Sequence, residues 1–328
     1  MNRIATQLFC NKTFIVVALA CGALSMPAGA QFTRQEIITF ESAMMPVEDF
    51  LNGKKGSPVT LAGYLRLPKF NEKNPAVVLF HGAGGLGGAG GPVHEWARVL
   101  NEAGIATFAV DSFSGRGIAT LADAGRVSAV SRVVDAYRAL DVLAKHPLVD
   151  ADKIAVMGFS HGGAPALYSS VLRFQKMHGN ASVQFVAHVP VYGSCGTTFH
   201  GDEGLVTRPV LLLHGTADDW VPIGPCREYV ARLAKAGMNV RLIEYPDAHH
   251  VFDGPVWREP VKFLQAITSR KCRIAEVEEG RLINAETKQP FSMSDPCLEK
   301  GTTIQYSEAA AKKAHVDVVT FLKDVFAK

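Results

Sequence analysis

The chain has 328 residues, 48% hydrophobic and 20% charged, with six cysteines. That excludes a disordered polymer, a collagen-like repeat and a disulfide-dense miniprotein. Thirty-four basic against 31 acidic residues give a formal charge of +3, too close to zero for an electrostatic nucleic-acid binder.

Residues 1–30 read as an export address. Arg3 and Lys12 supply a positive start, 14–24 an apolar run, and Ala28-Gly29-Ala30 a small-x-small cleavage site. The run falls short of the roughly 20 residues of a membrane span. Cleavage after Ala30, a periplasmic or secreted location and a single mature domain over 31–328 without a membrane span are therefore expected. Cleavage removes Cys10 and Cys21 and leaves Cys195, Cys226, Cys272 and Cys297. An even set in an oxidising compartment favours two disulfides. Four cysteines allow three pairings, of which neighbour pairing, Cys195 with Cys226 and Cys272 with Cys297, is the simplest. A zinc site lacks any C-x-x-C spacing.

Beyond the leader, strands are expected at 59–67, 76–80, 105–110, 154–157, 185–191, 210–213 and 240–245. Several are almost continuously apolar, as strands covered on both faces tend to be. Between them, 95–103 and 226–236 read as helices stopped at Gly104 and Gly237, and Val127, Val130, Val133, Val134, Tyr137, Leu140 and Leu143 recur at helical spacing. The alternation implies an α/β fold, a mostly parallel sheet with helices on both faces and a core over about 59–268. After Ala266 the rhythm breaks. The polar segment 269–306, with two cysteines, Pro290 and Pro296, reads as a stapled excursion before a last helix over 307–327.

The chemistry concentrates at strand ends. An apolar strand runs into Gly158-Phe-Ser160-His-Gly162 and then into an apolar helical stretch, the sequence of a turn that lifts a serine hydroxyl above a sheet. A serine needs a base, and the base needs an orienting carboxylate, here in the order serine, acid, histidine. Asp218 and Asp219 follow one later strand, and His249 and His250 follow the next, so the residues alone leave both choices open. An oxyanion hole is expected from the amide of His161 and from the loop His81-Gly82-Ala83-Gly84-Gly85, with Ala83 first and Gly84 second.

From about 60 to 266 the chain resembles the α/β-hydrolase superfamily, and within it the dienelactone hydrolase family. Four segments carry the resemblance: Leu79-Phe-His-Gly-Ala-Gly-Gly85, Gly158-Phe-Ser-His-Gly-Gly163, His214-Gly-Thr-Ala-Asp-Asp-Trp-Val-Pro222 and Tyr245-Pro-Asp-Ala-His-His-Val-Phe252. The third is similar to the family's H-G-x-x-D-x-x-V pattern, and in the fourth the family's histidine precedes a phenylalanine by two residues. The resemblance thus implies Ser160 as nucleophile, Asp218 as orienter and His250 as base. The family's namesake enzymes carry cysteine where this chain has Ser160, which implies a broader, esterase-like member acting on small esters or lactones without a cofactor.

The remaining candidates are weaker. Arg116 could reach a substrate carboxylate, although an exposed loop arginine is the plainer reading, and Trp220 could line the pocket. His94, His188, His200 and His214 read as ordinary loop or core residues, and His249-His250 lacks a third metal ligand. Gly82-x-Gly84-x-x-Gly87 with Asp111 mimics a dinucleotide site. However, Pro92 starts the next helix too late to meet a pyrophosphate, and the acid lies beyond the usual spacing. The motifs are also compatible with a peptidase using the same triad and with a non-catalytic binding protein on the same fold.

Overall fold

The computed structural model describes residues 34–69, 71–88 and 91–328; the expected leader and its cleavage site lie outside them. The main sheet has eight strands: β1 (Arg34–Met44), β2 (Ser57–Leu67), β3 (Asn74–Phe80), β4 (Ala106–Asp111), β5 (Val149–Phe159), β6 (His188–Val191) and, after a two-residue strand β7 (Thr197–Thr198) in another sheet, β8 (Val210–Gly215) and β9 (Val240–Tyr245). Their order is β1-β2-β4-β3-β5-β6-β8-β9. The β1–β2 and β2–β4 pairs are antiparallel, and every later neighbour is parallel.

The continuously apolar strands are covered on both faces, as expected. On β3, Ala76, Val78 and Phe80 enter one core while Val77 and Leu79 enter the other. The first core is closed by α1 (Val47–Leu51) together with α3 (Val133–Ala144), α4 (Gly163–Tyr168), α5 (Leu172–His178) and α6 (Gly224–Lys235). The second is closed by α2 (Val93–Glu102) and the last helix, α7 (Glu308–Phe326). The helical pattern expected from Val127 begins later, because a 3-10 turn at Val130–Arg132 precedes α3.

Two parts of the sheet arrangement differ from the expectation. The sheet begins at β1, well before 59; this edge strand mixes buried Phe40 and Ser42 with exposed Glu41 and Thr39, so it lacks a continuous apolar run. The polar excursion is also more ordered than its composition suggests. It starts at β10 (Val261–Thr268), pairs antiparallel with β13 (Glu299–Ile304), and carries β11 (Ile274–Val277) and β12 (Arg281–Asn284), which join β7 in a small sheet. Both disulfides follow neighbour pairing: Cys195–Cys226 ties the loop after β6 to α6, and Cys272–Cys297 closes the neck of the excursion.

Candidate active site

The site is built from strand ends. β5 stops at Phe159, and Ser160 takes φ +53°, a left-handed conformation that a serine holds only under constraint. A Cβ on Gly158 would lie 1.9 Å from the Gly162 carbonyl oxygen, and one on Gly162 would lie 2.3 Å from that of Phe80. The glycines of the motif are thus required by close backbone approach between β5, β3 and the start of α4.

Asp218 follows β8 and His250 follows β9. His250 Nδ1 donates to Asp218 Oδ2 at 2.7 Å, and Ser160 Oγ donates to His250 Nε2 at 2.8 Å. The other Asp218 oxygen accepts the amides of Trp220 and Val221 at 3.0 and 2.8 Å. Burial works against the Asp218 charge, but His250, and hydrogen bonding from His214, hold its carboxyl below the usual range. His214, read from sequence as ordinary, therefore borders the acid: its Nε2 lies 3.4 Å from Asp218 Oδ2 and donates to the Val221 carbonyl at 2.7 Å. The neighbouring residues take other places. Asp219 accepts from the Thr303 amide and hydroxyl at 2.7 and 2.9 Å, and His249 is half-buried outside this chain of bonds.

Ala83 and His161 line the same cavity as Ser160. Beneath them lies a polar layer whose central residue, Arg132, no motif marks in the sequence. Arg132 is fully buried, with its guanidinium 5.6 and 5.2 Å from the ring centres of Phe80 and Phe113. It donates through both terminal nitrogens to the His81 carbonyl at 3.2 Å and to His161 Nδ1 at 2.8 Å. His81 bonds the Gly82 carbonyl through Nδ1 at 2.7 Å and accepts the Ser112 amide at Nε2. Burial and the Arg132 charge push its pKa down to about 3 and that of His161 well below the ordinary value, so both rings are neutral.

Arg116 is a correction. It is not a loop arginine at the pocket but a buried one, its two terminal nitrogens 2.9 and 2.7 Å from the Asp135 carboxylate and bonded to the Ser112 and Ala43 carbonyls. Ser42 completes the cluster with a 2.5 Å bond to Asp135. Such a paired, desolvated guanidinium lies outside the lining of the cavity above Ser160 and does not reach a substrate there.

Behind His250 sits a second buried carboxylate. Asp253 accepts from Trp96 Nε1 at 2.6 Å and from the Tyr192 hydroxyl at 2.7 Å, and the Tyr192 ring meets that of His250 edge-on at 4.8 Å. Burial among neutral donors pushes the Asp253 carboxyl up to about 6. No local sequence signal marks these partners, which are drawn from α2 and from the loops after β6 and β9.

The cavity above Ser160 measures about 1030 Å³. Trp220 lines it, as anticipated; its ring is 5.2 Å from that of His250, and its Nε1 donates to the Ile267 carbonyl at 3.1 Å. The wall beyond Trp220 is β10. The glycine run Gly82 to Gly87 ends well short of α2, which starts at Val93. Among the described residues no group of three or more His, Cys, Asp or Glu could hold a metal ion, and no helix is long and apolar enough to cross a membrane.

Comparison with known proteins places these features. The profile of the Dienelactone hydrolase family matches residues 61–326. Over 156 residues the chain is 28% identical to acylamino-acid-releasing enzyme 1 of Oryza sativa subsp. japonica, covering 38% of this chain and 20% of that one, so it spans about a fifth of that relative's length. It is 24% identical over 203 residues to a putative carboxymethylenebutenolidase of Aquifex aeolicus, covering 59% of this chain and 82% of that protein. Among solved structures, a dienelactone hydrolase-like promiscuous phosphotriesterase from metagenomic libraries superposes with TM-score 0.55 at 18% identity, over 89% of this chain and 99% of that one. At that identity the likeness shows the fold.

Proposed function

The chain belongs to the dienelactone hydrolase family, and on that premise we propose that it is an exported serine hydrolase of carboxylic esters or lactones. Ser160 attacks the carbonyl carbon while His250 Nε2 takes its proton, and Asp218 stabilises the resulting imidazolium. The amides of Ala83 and His161, with Gly84 as the alternative to Ala83, donate to the oxyanion. Collapse of the tetrahedral intermediate breaks the ester bond, and His250 returns the proton to the leaving alcohol. Water then attacks the acyl-Ser160 ester with His250 as base, releasing the acid. The scheme uses no cofactor and no metal.

The observation that carries this reading is the unbroken series of bonds from Asp218 through His250 to Ser160, at 2.7 and 2.8 Å, beneath an open cavity. Export is supported by the leader-like residues 1–30 and by the two disulfides, which persist in oxidising compartments. The test is a fluorophosphonate probe with a panel of p-nitrophenyl esters. Ser160 should be labelled, and Ser160→Ala should abolish both labelling and turnover. Intact turnover in Ser160→Ala overturns the reading, and absence of both labelling and turnover in the unaltered chain assigns it instead to a non-catalytic binding protein.

Amide cleavage by the same residues is a second reading, supported by the likeness to acylamino-acid-releasing enzyme 1. Acyl-amino-acid p-nitroanilides assayed beside the esters distinguish the two.

A further inference from the structure

We infer that the cavity selects neutral esters carrying an extended apolar group and rejects esters that bear a second, ionised carboxylate. This rests on Ser160 being the nucleophile and adds the substrate class.

Two observations carry it. The first is the mouth. Leu121, from the 3-10 turn Leu121–Arg126, and Leu264, Ile267 and Met293, from the excursion, all line the cavity, and they are 44%, 71%, 42% and 65% exposed. Large apolar side chains exposed singly are ordinary, but four drawn from two separate segments around one opening mark an apolar binding surface. Phe263, its ring tilted against that of Trp220 with centres 5.9 Å apart, continues that surface along the cavity wall.

The second is the charge inventory. Among the described residues, Lys262 is the sole charged one lining the cavity, and it is exposed. The arginines near by do not reach it: Arg116 is paired with Asp135, Arg270 with Glu299 and the carbonyls of Asp219 and Gly301, and Arg132, though it has no carboxylate partner, is fully buried behind His81 and His161 and is not part of the lining. A substrate carboxylate drawn into this cavity would lose water without gaining a buried cation, which is costly. At about 1030 Å³ the cavity lies at the upper end of small-molecule sites, far beyond the needs of an acetyl group.

The test compares kcat/KM over p-nitrophenyl acyl esters from two to eight carbons, each kept below its micelle concentration. A second series moves the same carbons to the alcohol side of an acetate. In at least one series kcat/KM should rise about three- to fourfold per methylene over the first additions. An ester of equal length ending in a carboxylate should fall at least ~30-fold below its methyl-ended counterpart. Leu264→Asn combined with Met293→Asn, at two exposed positions, should flatten the long-to-short ratio. Flat profiles in both series, or equal use of the carboxylate-ended ester, overturn the inference while leaving the serine-hydrolase reading intact. Activity that appears only above the micelle concentration assigns the mouth to a lipid–water surface and also overturns it. Absence of all ester turnover together with absence of Ser160 labelling overturns the underlying reading itself.

Discussion

On its floor the cavity is made by the ends of parallel strands, and on its far wall by an antiparallel pair of strands distant in sequence. Ser160, Asp218 and His250 stand on loops whose backbones are fixed by β5, β8 and β9, with their polar atoms mutually bonded and Asp218 and His250 buried. The wall, β10 with β13, is attached through side chains and, at the end of β13, through backbone bonds to the loop after β9. Asp219 holds Thr303, Arg270 holds the carbonyls of Asp219 and Gly301, Thr268 holds the Trp220 carbonyl, and Trp220 holds the Ile267 carbonyl. The two constructions meet at three consecutive residues, where Asp218 serves the floor and Asp219 and Trp220 secure the wall, and again at His250, which bridges to Ile304 and whose carbonyl accepts the Gln305 amide. The difference teaches that reactivity and selection are separable here. Changes to the floor should act on kcat, and changes to the wall on stability and substrate preference.

The largest effect expected breaks the floor. Asp218→Asn keeps the shape but removes the charge that stabilises the His250 imidazolium and fixes its tautomer. Its kcat on a short ester should fall by ~10³–10⁴ with little change in KM. A loss confined to KM would show that Asp218 positions substrate instead.

Next comes the wall. Replacing Cys272 and Cys297 by serine reopens the neck of the excursion, whose cysteines are separated by 25 residues. Chain-entropy reasoning gives about 3 kcal/mol of lost stability, measurable by urea denaturation. If wall and floor are separable, kcat on the short ester should stay within about twofold in the folded variant. A loss as large as that of Asp218→Asn would merge the two regions into one.

A smaller effect tests what supports the floor from below. Arg132→Met leaves the His81 carbonyl and His161 Nδ1 without their buried donor, at the two segments proposed to supply the oxyanion amides. A kcat lower by about 10- to 30-fold, KM unchanged and partial recovery in Arg132→Lys are expected, corresponding to roughly 1.4–2 kcal/mol. A change in thermal stability alone, with kcat intact, would make Arg132 a packing residue.

The same contrast explains what could be read in the sequence. The floor was legible because its signals are local: Gly158-x-Ser160-x-Gly162 sits at the end of one apolar strand, and Asp218 and His250 lie a few residues beyond two others. Each strand declares itself through residues covered on both faces. The disulfides followed the shortest-loop pairing for a similar local reason. The wall was opaque because its order comes from partners far away in the chain. β10 pairs with residues more than thirty positions on, and its apolar side chains lie exposed instead of in a core. The burial of Arg116 is hidden from the sequence for the same cause. Nothing near it in sequence announces Asp135, one helix later, and a lone arginine in a glycine-containing loop looks solvated until the fold buries it. Arg132 was overlooked because a charge placed on the rim of an apolar helical stripe does not reveal that the rim will be covered.

The smallest expected effect lies behind the floor, where two buried carboxylates respond to pH in opposite senses. Asp218 is bonded by His250 and bordered by His214, its folded pKa is depressed, and its contribution is present above the unfolded value and lost as pH falls. At Asp253 burial outweighs the bonds from Trp96 and Tyr192 and the pull of His250, and its folded pKa is raised from 3.8 to about 6. Between those values the folded state binds more protons than the unfolded one, so stability falls as pH rises from about 4 to 6 and the full penalty persists above 6. Asp253→Asn removes the charge while still accepting one of the two bonds, and the Tyr192 hydroxyl can turn to accept from the new amide. The relieved desolvation and the imperfect bond oppose each other, leaving the variant more stable by about 1 kcal/mol at pH 7 and less stable than the parent near pH 4. Urea titrations at the two pH values check the crossing. A variant less stable at both would mean that the Asp253 charge is stabilised in place, with His250 as its counter-ion, and the two carboxylates would then serve one histidine from opposite sides.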